Sequence, residues 1–221
     1  MGVWRGQFDG NPYVGLYAKA SETHLIIPNG APIKFVNGVN AMDTPVVSAS
    51  IDASPYVGLY FAMNSHGLIA PPFLMSREKA ELEKAGIKVH VLPSSRYCAI
   101  GNNIACNDHG ALVNPEFTPE MRKWVEKALG VPVRASALAG YLTVGSALCV
   151  SNKGWLAHNR IEPVEAEMLK ELFRCDGMNG TTNTGNALVG LGVVANSKGA
   201  IIGESTSGFE ESRIMQALDI V

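Results

Sequence analysis

The sequence predicts an α/β protein in which five copies of a strand–turn–strand–helix–strand unit form a ring. The pentapeptide Tyr-Val-Gly-Leu-Tyr occurs at residues 13–17 and again at residues 56–60. Three weaker copies follow, and the glycines of successive copies are 43, 43, 44 and 45 residues apart. These glycines are Gly15, Gly58, Gly101, Gly145 and Gly190. A fixed period of this length indicates a repeat architecture, in which each unit covers the apolar face of its neighbour.

Each copy begins with a strand that ends at a tight turn. The third and fifth residues after each glycine are apolar, and a period of two puts them on one strand face. The third residues are Ala18, Phe61, Ile104, Leu148 and Val193, and the fifth are Ala20, Met63, Cys106, Val150 and Ala195. The turn opens with Asn or Ser and closes with Gly67, Gly110, Gly154 or Gly199, while His24 takes this place in the first copy. This composition favours a type I turn followed by a residue at positive φ, and then a second strand.

A helix is predicted after the second strand in four of the copies. In the third copy Thr118 is the N-cap, Pro119 the first helical residue and Gly130 the stop. Comparable helices are predicted to begin at Arg77, Pro163 and about Phe209. Residues 35–40 of the first copy are rich in β-branched and turn residues, so we expect a loop or a single helical turn there. The helical carboxylates are expected on solvated outer faces; they are Glu78, Glu81, Glu83, Glu120, Glu126, Glu165, Glu167 and Glu171.

A further strand follows each helix except the fifth, after which the sequence ends. Residues 3–8 precede the first copy and are in the right place to supply the missing strand. Such pairing closes the ring and leaves no open edge between its ends. The sequence therefore predicts one domain over residues 1–221, with copies at about 11–53, 54–96, 97–140, 141–185 and 186–221.

Composition excludes several classes of protein. Hydrophobic residues are 47% and charged residues 17%, which supplies a packed core and argues against disorder. The longest apolar run, residues 187–195, is too short to cross a bilayer, and the N-terminus has no apolar signal region, so we expect a cytoplasmic protein. The net charge of −2 and the lack of a basic run argue against DNA or other phosphate-dominated binding.

The four cysteines predict neither a metal site nor a redox motif. Their spacing is irregular and contains no Cys-x-x-Cys pair. They are Cys98, Cys106, Cys149 and Cys175, and we expect buried free thiols in a reducing compartment. We expect no metal and no cofactor.

Several segments, at their spacing along the whole chain, resemble the archaeal and eukaryotic translation initiation factor 6 family. They are residues 44–51, 101–102 with 106–108 and 111–113, 144–146 with 151–154, and 180–183. The resemblance implies the pentein fold, a five-bladed pseudo-symmetric α/β propeller. It also implies binding to the intersubunit side of the large ribosomal subunit, which blocks joining of the small subunit. The partner contact is expected mainly with a ribosomal protein, with a minor rRNA contact, and the factor is expected to be a monomer.

The end of the chain after the fifth helix is similar to the shorter archaeal form of the family. Phosphorylation control through the eukaryotic C-terminal tail is therefore not expected. Thr182 and Thr184 differ from the family pattern in their segment. A separate factor is expected to release the protein from the subunit.

Two rings of residues are candidate binding sites. The residues after the five repeat glycines are a mixture unlike a core, and we expect them at the surface: Leu16, Leu59, Asn102, Ser146 and Leu191. By resemblance, Leu59, Asn102 and Leu188 match positions where the family contacts its large-subunit protein partner. The alternative is that the leucines pack near a central channel. The turns form a second possible rim at the opposite end, with Asn64, His66, Asn107, His109, Lys153 and Lys198, either facing rRNA or an acidic protein or simply solvated.

The main rival interpretation is an enzyme. The pentein fold also carries guanidine-modifying enzymes, which use a cysteine nucleophile near the C-terminus, a histidine acid/base and acidic residues that hold the guanidinium. Residues 176–221 contain neither Cys nor His. Cys106 and His109 flank a turn, and a buried thiol without a cationic neighbour is inert, so no catalytic residue is expected. A second rival is an interaction module whose partner is not the ribosome, since fold does not fix function.

Overall fold

The computed structural model describes residues 2–93 and 96–220. Met1 and Val221, the ends of the predicted domain, lie outside the described residues. Five three-stranded sheets are present in the described part of the chain. In each sheet an inner strand pairs antiparallel with a middle strand, and the middle strand pairs parallel with an outer strand. This repeated plan confirms the mixed α/β class, and the five sheets are compatible with the five-fold repeat that the sequence predicts.

The strands fall into three sets. The inner strands are β2 (Lys19–Ala20), β5 (Ala62–Asn64), β8 (Ile104–Cys106), β11 (Leu148–Val150) and β14 (Val193–Asn196). The middle strands are β3 (Leu25–Pro28), β6 (Gly67–Ala70), β9 (Ala111–Val113), β12 (Trp155–His158) and β15 (Gly199–Gly203). The outer strands are β4 (Val46–Ala49), β7 (Val89–Val91), β10 (Val133–Ala135), β13 (Gly177–Gly180) and, in the fifth sheet, β1 (Gly2–Gly6).

The N-terminal strand completes the fifth sheet. β1 pairs in parallel with β15, with Gly2 opposite Gly199 and Gly6 opposite Gly203. The strand begins and ends earlier than the predicted residues 3–8, and Phe8 instead forms an isolated bridge with Asn11. The backbone hydrogen-bonding groups along this edge of β15 are therefore paired with a strand from the other end of the chain.

A long helix follows the middle strand in each copy, and in the first four copies it leads to the outer strand. These helices are α1 (Ile33–Gly38), α3 (Ser76–Lys84), α5 (Pro119–Leu129), α7 (Pro163–Phe173) and α9 (Gly208–Leu218). One-turn helices carry four of the repeat glycines: α2 (Val57–Tyr60), α4 (Ile100–Asn103), α6 (Val144–Ala147) and α8 (Val189–Gly192). A 3-10 turn, Val14–Leu16, takes this place in the first copy. Within the described residues no helix is long and apolar enough to cross a membrane.

Helix α5 follows its predicted signals closely. The Thr118 hydroxyl accepts a hydrogen bond from the Met121 N–H at 3.3 Å, and Pro119 is the first helical residue. Gly130 ends the helix in the left-handed conformation, with φ of 65°. Local sequence signals are enough to predict this helix, because the N-cap, the first turn and the terminating glycine all indicate the same boundaries.

The prediction for the first copy is wrong, because α1 is a helix of more than one turn and a 3-10 turn, Val39–Met42, extends it. Phe35, Val39 and Met42 are fully buried in one core cluster. The Trp4 ring packs edge-on against Phe35, with centroids 5.7 Å apart. Burial of these side chains outweighs the weak helix propensity of the segment.

The five copies contact one another in a cycle. A Cβ atom added to Gly58, Gly101, Gly145 or Gly190 would overlap the carbonyl oxygen of the preceding repeat glycine. A Cβ atom added to Gly15 would overlap the carbonyl oxygen of Gly190. The inner strands show the same cycle, since each contacts the next and β14 contacts β2. Glycine is required at these positions because backbone meets backbone.

The cycle has two different ends. We call the end that carries the five repeat glycines and the first turns of the long helices the glycine face. The other end, the turn face, carries the inner-to-middle hairpin turns at residues 21–24, 64–67, 107–110, 151–154 and 196–199. Each inner strand runs from the glycine face to the turn face, and each middle strand returns.

The prediction of positive φ at the turn glycines is wrong. Gly67, Gly110, Gly154 and Gly199 are not among the glycines with positive φ. A Cβ atom at Gly67 would lie 2.7 Å from the Ala128 carbonyl oxygen of the next copy, and the other three glycines meet equivalent carbonyls. In the first copy, His24 places Nε2 3.2 Å from the Ala85 carbonyl oxygen. These glycines therefore serve close packing between copies.

Candidate functional site

The asparagines that open the turns join neighbouring copies. Asn64 is 4% exposed, and its Nδ2 donates to the carbonyl oxygens of Asn107 at 3.1 Å and Leu129 at 2.9 Å. Asn107 makes the equivalent bonds to Ser151 and Phe173, both at 3.0 Å. These two predicted rim residues are therefore committed to bonds inside the protein.

A second set of hydrogen bonds closes the centre of the turn face. Asp108 accepts from the N–H and hydroxyl of Ser65, at 2.8 and 2.9 Å, and from Asn152 Nδ2 at 2.7 Å. Glu22 accepts from the N–H groups of Asn152 and Ser197 at 3.0 and 2.9 Å. Two carboxylates thus lie at the middle of this face, bound to backbone donors from other copies.

The predicted basic residues of the turn face lie around these carboxylates. His66 and Lys153 are exposed, whereas His109 and Lys198 are half-buried. Lys198 Nζ donates to the Asp43 carbonyl oxygen at 2.8 Å. Because this face carries acidic as well as basic side chains, it does not present the single positive field that attracts a phosphate backbone.

The other predicted ring lies on the glycine face. Leu16, Leu59, Asn102 and Leu191 are half-buried, so they reach the surface as expected. The expectation is wrong for Ser146, which is 3% exposed, because its side chain is too short to extend beyond its neighbours. Leu188 is also half-buried, directly before α8. The side-chain amide of Asn102 makes no hydrogen bond within the described residues, while its backbone N–H donates to the Ala99 carbonyl oxygen at 3.1 Å.

Sequence reasoning missed the larger apolar surface around this ring. Among the described residues, nine of the eleven exposed large hydrophobic side chains lie on the glycine face. They are Tyr13, Ile33, Tyr56, Phe73, Met75, Tyr141, Leu142, Val164 and Phe209. The other two, Val36 and Val46, lie on the flank of α1 and at the start of β4. The only hint of this surface in the sequence was the tyrosine repeated two residues before Gly15 and Gly58, because both copies, Tyr13 and Tyr56, are exposed.

Three glutamates hold the loops of the glycine face in position. Each occupies the third position of a long helix and accepts hydrogen bonds from the loop that follows the preceding outer strand. Glu78 binds the N–H groups of Asp52 and Ala53 at 3.1 and 3.4 Å, and Glu165 binds that of Ala139 at 2.8 Å. The predicted solvated position is wrong for Glu78, which is 1% exposed, because these donors replace water.

Glu210 makes the most extensive of these contacts. It accepts from the N–H groups of Thr184, Gly185 and Ser207 and from the Thr181 hydroxyl, at 2.7 to 3.1 Å. Burial alone raises the pKa of the carboxyl, but these bonds to the charged form outweigh it and lower the pKa to about 2. We call this arrangement on Glu78, Glu165 and Glu210 the carboxylate clamp. Thr184, which departs from the family pattern, is held by it.

The cysteine chemistry that an enzyme would need is unfavourable at the best candidate. Cys106 Sγ donates to the Met63 carbonyl oxygen at 3.2 Å, and burial raises the pKa of the thiol to about 12. Contrary to expectation a cation is near, because Lys19 lines the same narrow central cavity of about 40 Å³. Its attraction for the thiolate is weaker than the effect of burial.

Two other cysteines behave similarly. Burial raises the pKa of Cys149 to about 12 and that of Cys175 to about 11. Cys149 is buried as predicted, whereas Cys98, Cys106 and Cys175 are only half-buried. No group of three potential metal-ligating side chains is found within the described residues.

Comparison with known proteins assigns the chain to a family. The family model described as the eIF-6 family matches residues 3–217. The chain belongs to the eIF-6 family. It is 34% identical to translation initiation factor 6 of Pyrococcus abyssi, with all of both chains covered. It is 36% identical to that of Haloquadratum walsbyi over 97% of this chain and 95% of the other, and 35% identical to that of Methanocaldococcus jannaschii over 99% of each.

The eIF-6 family match covers all five sheets and both faces described above. The relatives are named as translation initiation factors, and this name indicates no catalytic activity. The resemblance predicted from the sequence is therefore confirmed, and the protein belongs to the machinery of protein biosynthesis.

Proposed function

We propose that this eIF-6 family protein binds the intersubunit side of the large ribosomal subunit through its glycine face and blocks joining of the small subunit. The observation that carries the proposal is the concentration of exposed apolar side chains on one face of the molecule. Exposed apolar side chains concentrated on one face are typical of protein-binding sites. Relatives across the full length are translation initiation factors, which points to a ribosomal partner.

The proposed contact is mainly with a ribosomal protein. Tyr56 and Leu59 supply aromatic and aliphatic surface on the glycine face, and the Asn102 amide supplies unused hydrogen-bonding groups. Contact with rRNA is minor, because the turn face mixes its basic side chains with Glu22 and Asp108. The action requires occupancy alone, so it needs no cofactor and no catalytic group.

The proposed architecture suits this role. The cyclic contacts support a single five-bladed propeller of the pentein type, acting as a cytoplasmic monomer. A closed ring of this kind docks with little change of shape. Release then depends on another factor that removes the protein from the subunit.

Sucrose-gradient sedimentation with purified cognate subunits tests the proposal. We expect the wild-type protein to migrate with the large subunit and to reduce the amount of joined ribosomes. The double variant Tyr56→Glu, Leu59→Glu puts two charges in the proposed contact and should lose both effects. Lys153→Glu, on the turn face, is the matched control and should retain them.

Two outcomes contradict the proposal. If the wild-type protein stayed at the top of the gradient and joining were unaffected, the ribosomal function would be wrong. If Lys153→Glu abolished binding while the double variant bound normally, the docking face would be the opposite one. Circular dichroism spectra and thermal melts of the variants show that each is folded.

A further inference from the structure

One charged side chain lines the centre of the ring. The fourth residues after the repeat glycines are small or apolar apart from Lys19, and the others are Ala62, Ala105, Cys149 and Val194. Lys19 lines the narrow central cavity, whose wall includes residues from all five copies. A lysine therefore stands where the other four copies place an uncharged side chain.

The Lys19 ammonium has no acceptor in the protein. Its backbone pairs with Ile26, but its side chain makes no hydrogen bond and no ion pair within the described residues. No carboxylate belongs to the cavity wall in the part of the chain that the structure describes. Glu22 and Asp108 line a smaller cavity of about 10 Å³ at the turn face, where donors of other copies already bind them. The protein around Lys19 therefore does not balance its charge.

The two thiols beside Lys19 do not supply the missing negative charge. Cys106 and Cys149 lie in the same cavity wall, and their thiolates would attract the ammonium. Burial raises the pKa of each thiol to about 12, so both thiols are neutral at pH 7. Burial also lowers the pKa of Lys19, which is the effect expected for an ammonium that has lost its water and gained no partner.

Loss of a proton from Lys19 does not satisfy the site either. A neutral amine keeps two N–H donors, and a buried donor without an acceptor is unfavourable. The central cavity has room for an acceptor, since its volume is about 40 Å³. A single water needs about 10–15 Å³. Organic ligands occupy sites of about 300–1,000 Å³, so the cavity admits a small ion and excludes an organic molecule.

We propose that the central cavity binds one small monovalent anion, such as chloride, in contact with the Lys19 ammonium. The anion balances the buried charge and accepts the N–H groups that have no acceptor in the protein. Because the cavity wall includes residues from all five copies, the ion binds only to the closed ring and stabilises the folded state. This site does not depend on the ribosomal function proposed above.

Urea denaturation of the full-length protein in two salts tests the proposal. The probe is potassium chloride, and it replaces potassium gluconate at constant ionic strength, because gluconate is an organic anion that the cavity excludes. We expect stability to rise as chloride replaces gluconate. Once the chloride concentration exceeds the Kd, each tenfold increase should raise the folding equilibrium constant about tenfold.

Two variants and a resonance signal locate the site. Lys19→Met removes the ammonium, keeps an apolar stem and should abolish the chloride dependence. Lys127→Met removes an exposed ammonium from α5 and should keep the dependence of the wild type. General effects of the two salts on the protein surface act on both variants alike. In the wild type, the side-chain nuclear magnetic resonance signal of Lys19, assigned by through-bond correlation, should shift with chloride and reach saturation.

The proposal is overturned if chloride changes the stability of Lys19→Met as much as that of the wild type, or if the Lys19 signal does not shift. The cavity would then hold water only. If Lys19→Met does not fold, the shift of the Lys19 signal in the wild type decides alone. Because neither measurement uses ribosomes, its failure leaves the subunit-binding proposal standing, and the reverse also holds.

Discussion

Glu210 is a buried carboxylate whose charge is held entirely by the protein. Its ordinary pKa of 4.5 falls to about 2 in the folded state, so the folded state binds the proton more weakly than the unfolded state. The stabilisation is therefore fully present above about pH 4.5 and is lost as the pH falls from there towards 2. Glu210→Gln should lower the free energy of unfolding by about 2 kcal/mol at pH 7, measured by urea denaturation.

The pH dependence of the unfolding free energy tests whether the charge of Glu210 causes this stabilisation. The difference in unfolding free energy between wild type and Glu210→Gln should shrink between pH 4.5 and pH 3. Glu167→Gln, which changes an exposed carboxylate on α7, should match the wild type at both pH values. A difference that stayed constant with pH would mean that Glu210 stabilises the fold by packing and not through its charge.

Single residues were the hardest to predict from the sequence. Thr118, Pro119 and Gly130 carry local signals, because a cap, a first turn and a stop each depend on neighbours in the chain. Asn64 has the composition of an ordinary turn residue, yet its amide bonds to Leu129, which is 65 residues away. A hydrogen bond of that range leaves no pattern in one sequence, so its burial could be found only from the structure.

The hairpin turns are the elements that bind one copy to the next. Asn64→Ser copies the residue found at this position in the fourth copy, Ser151, whose hydroxyl keeps the local turn bonds to Lys153 and Gly154. The variant loses both Nδ2 bonds to the next copy. We expect a loss of about 1–3 kcal/mol in unfolding free energy, because two buried carbonyl groups are left without a donor.

Chemical denaturation measures this effect, with Asn159→Ser as the control. Asn159 is exposed, so its replacement should change stability by less than about 0.5 kcal/mol. Equal stability of Asn64→Ser and the wild type would show that the bonds between copies add nothing beyond the local turn. At this scale the sequence predicts the strands and four of the long helices. It misses the one-turn helices at the repeat glycines, and it misses α1, whose helix depends on burial against Trp4.

Across the whole molecule, the five repeat glycines form one closed set of backbone contacts. Gly101→Ala would place a Cβ atom over the Gly58 carbonyl oxygen and 2.8 Å from that of Phe61. Both oxygens belong to the backbone of α2 and the residue that follows it, so neither can move without displacing that segment. We expect a loss of about 3 kcal/mol or more in unfolding free energy, or failure to obtain soluble protein.

The control for this change is Gly2→Ala, because no atom lies within 4 Å of a Cβ atom built there. Thermal melts of the two variants make the comparison. A Gly101→Ala protein as stable as Gly2→Ala would mean that the copies are not in direct backbone contact.

The glycine spacing in the sequence predicts these contacts between copies, because a weak signal that is repeated five times is easier to recognise. It cannot show which end is apolar, since exposed hydrophobic side chains resemble core residues in sequence.

The pairing of β1 with β15 has a consequence for how the protein is made. The ribosome synthesises β1 first, and its partner at residues 199–203 follows only after four sheets have been completed. Until then β1 has no strand partner, and a pairing of such long range forms slowly. A nascent chain that stalls before residue 199 therefore keeps an unpaired edge open to aggregation or chaperones, and the last step of folding waits for nearly the whole chain.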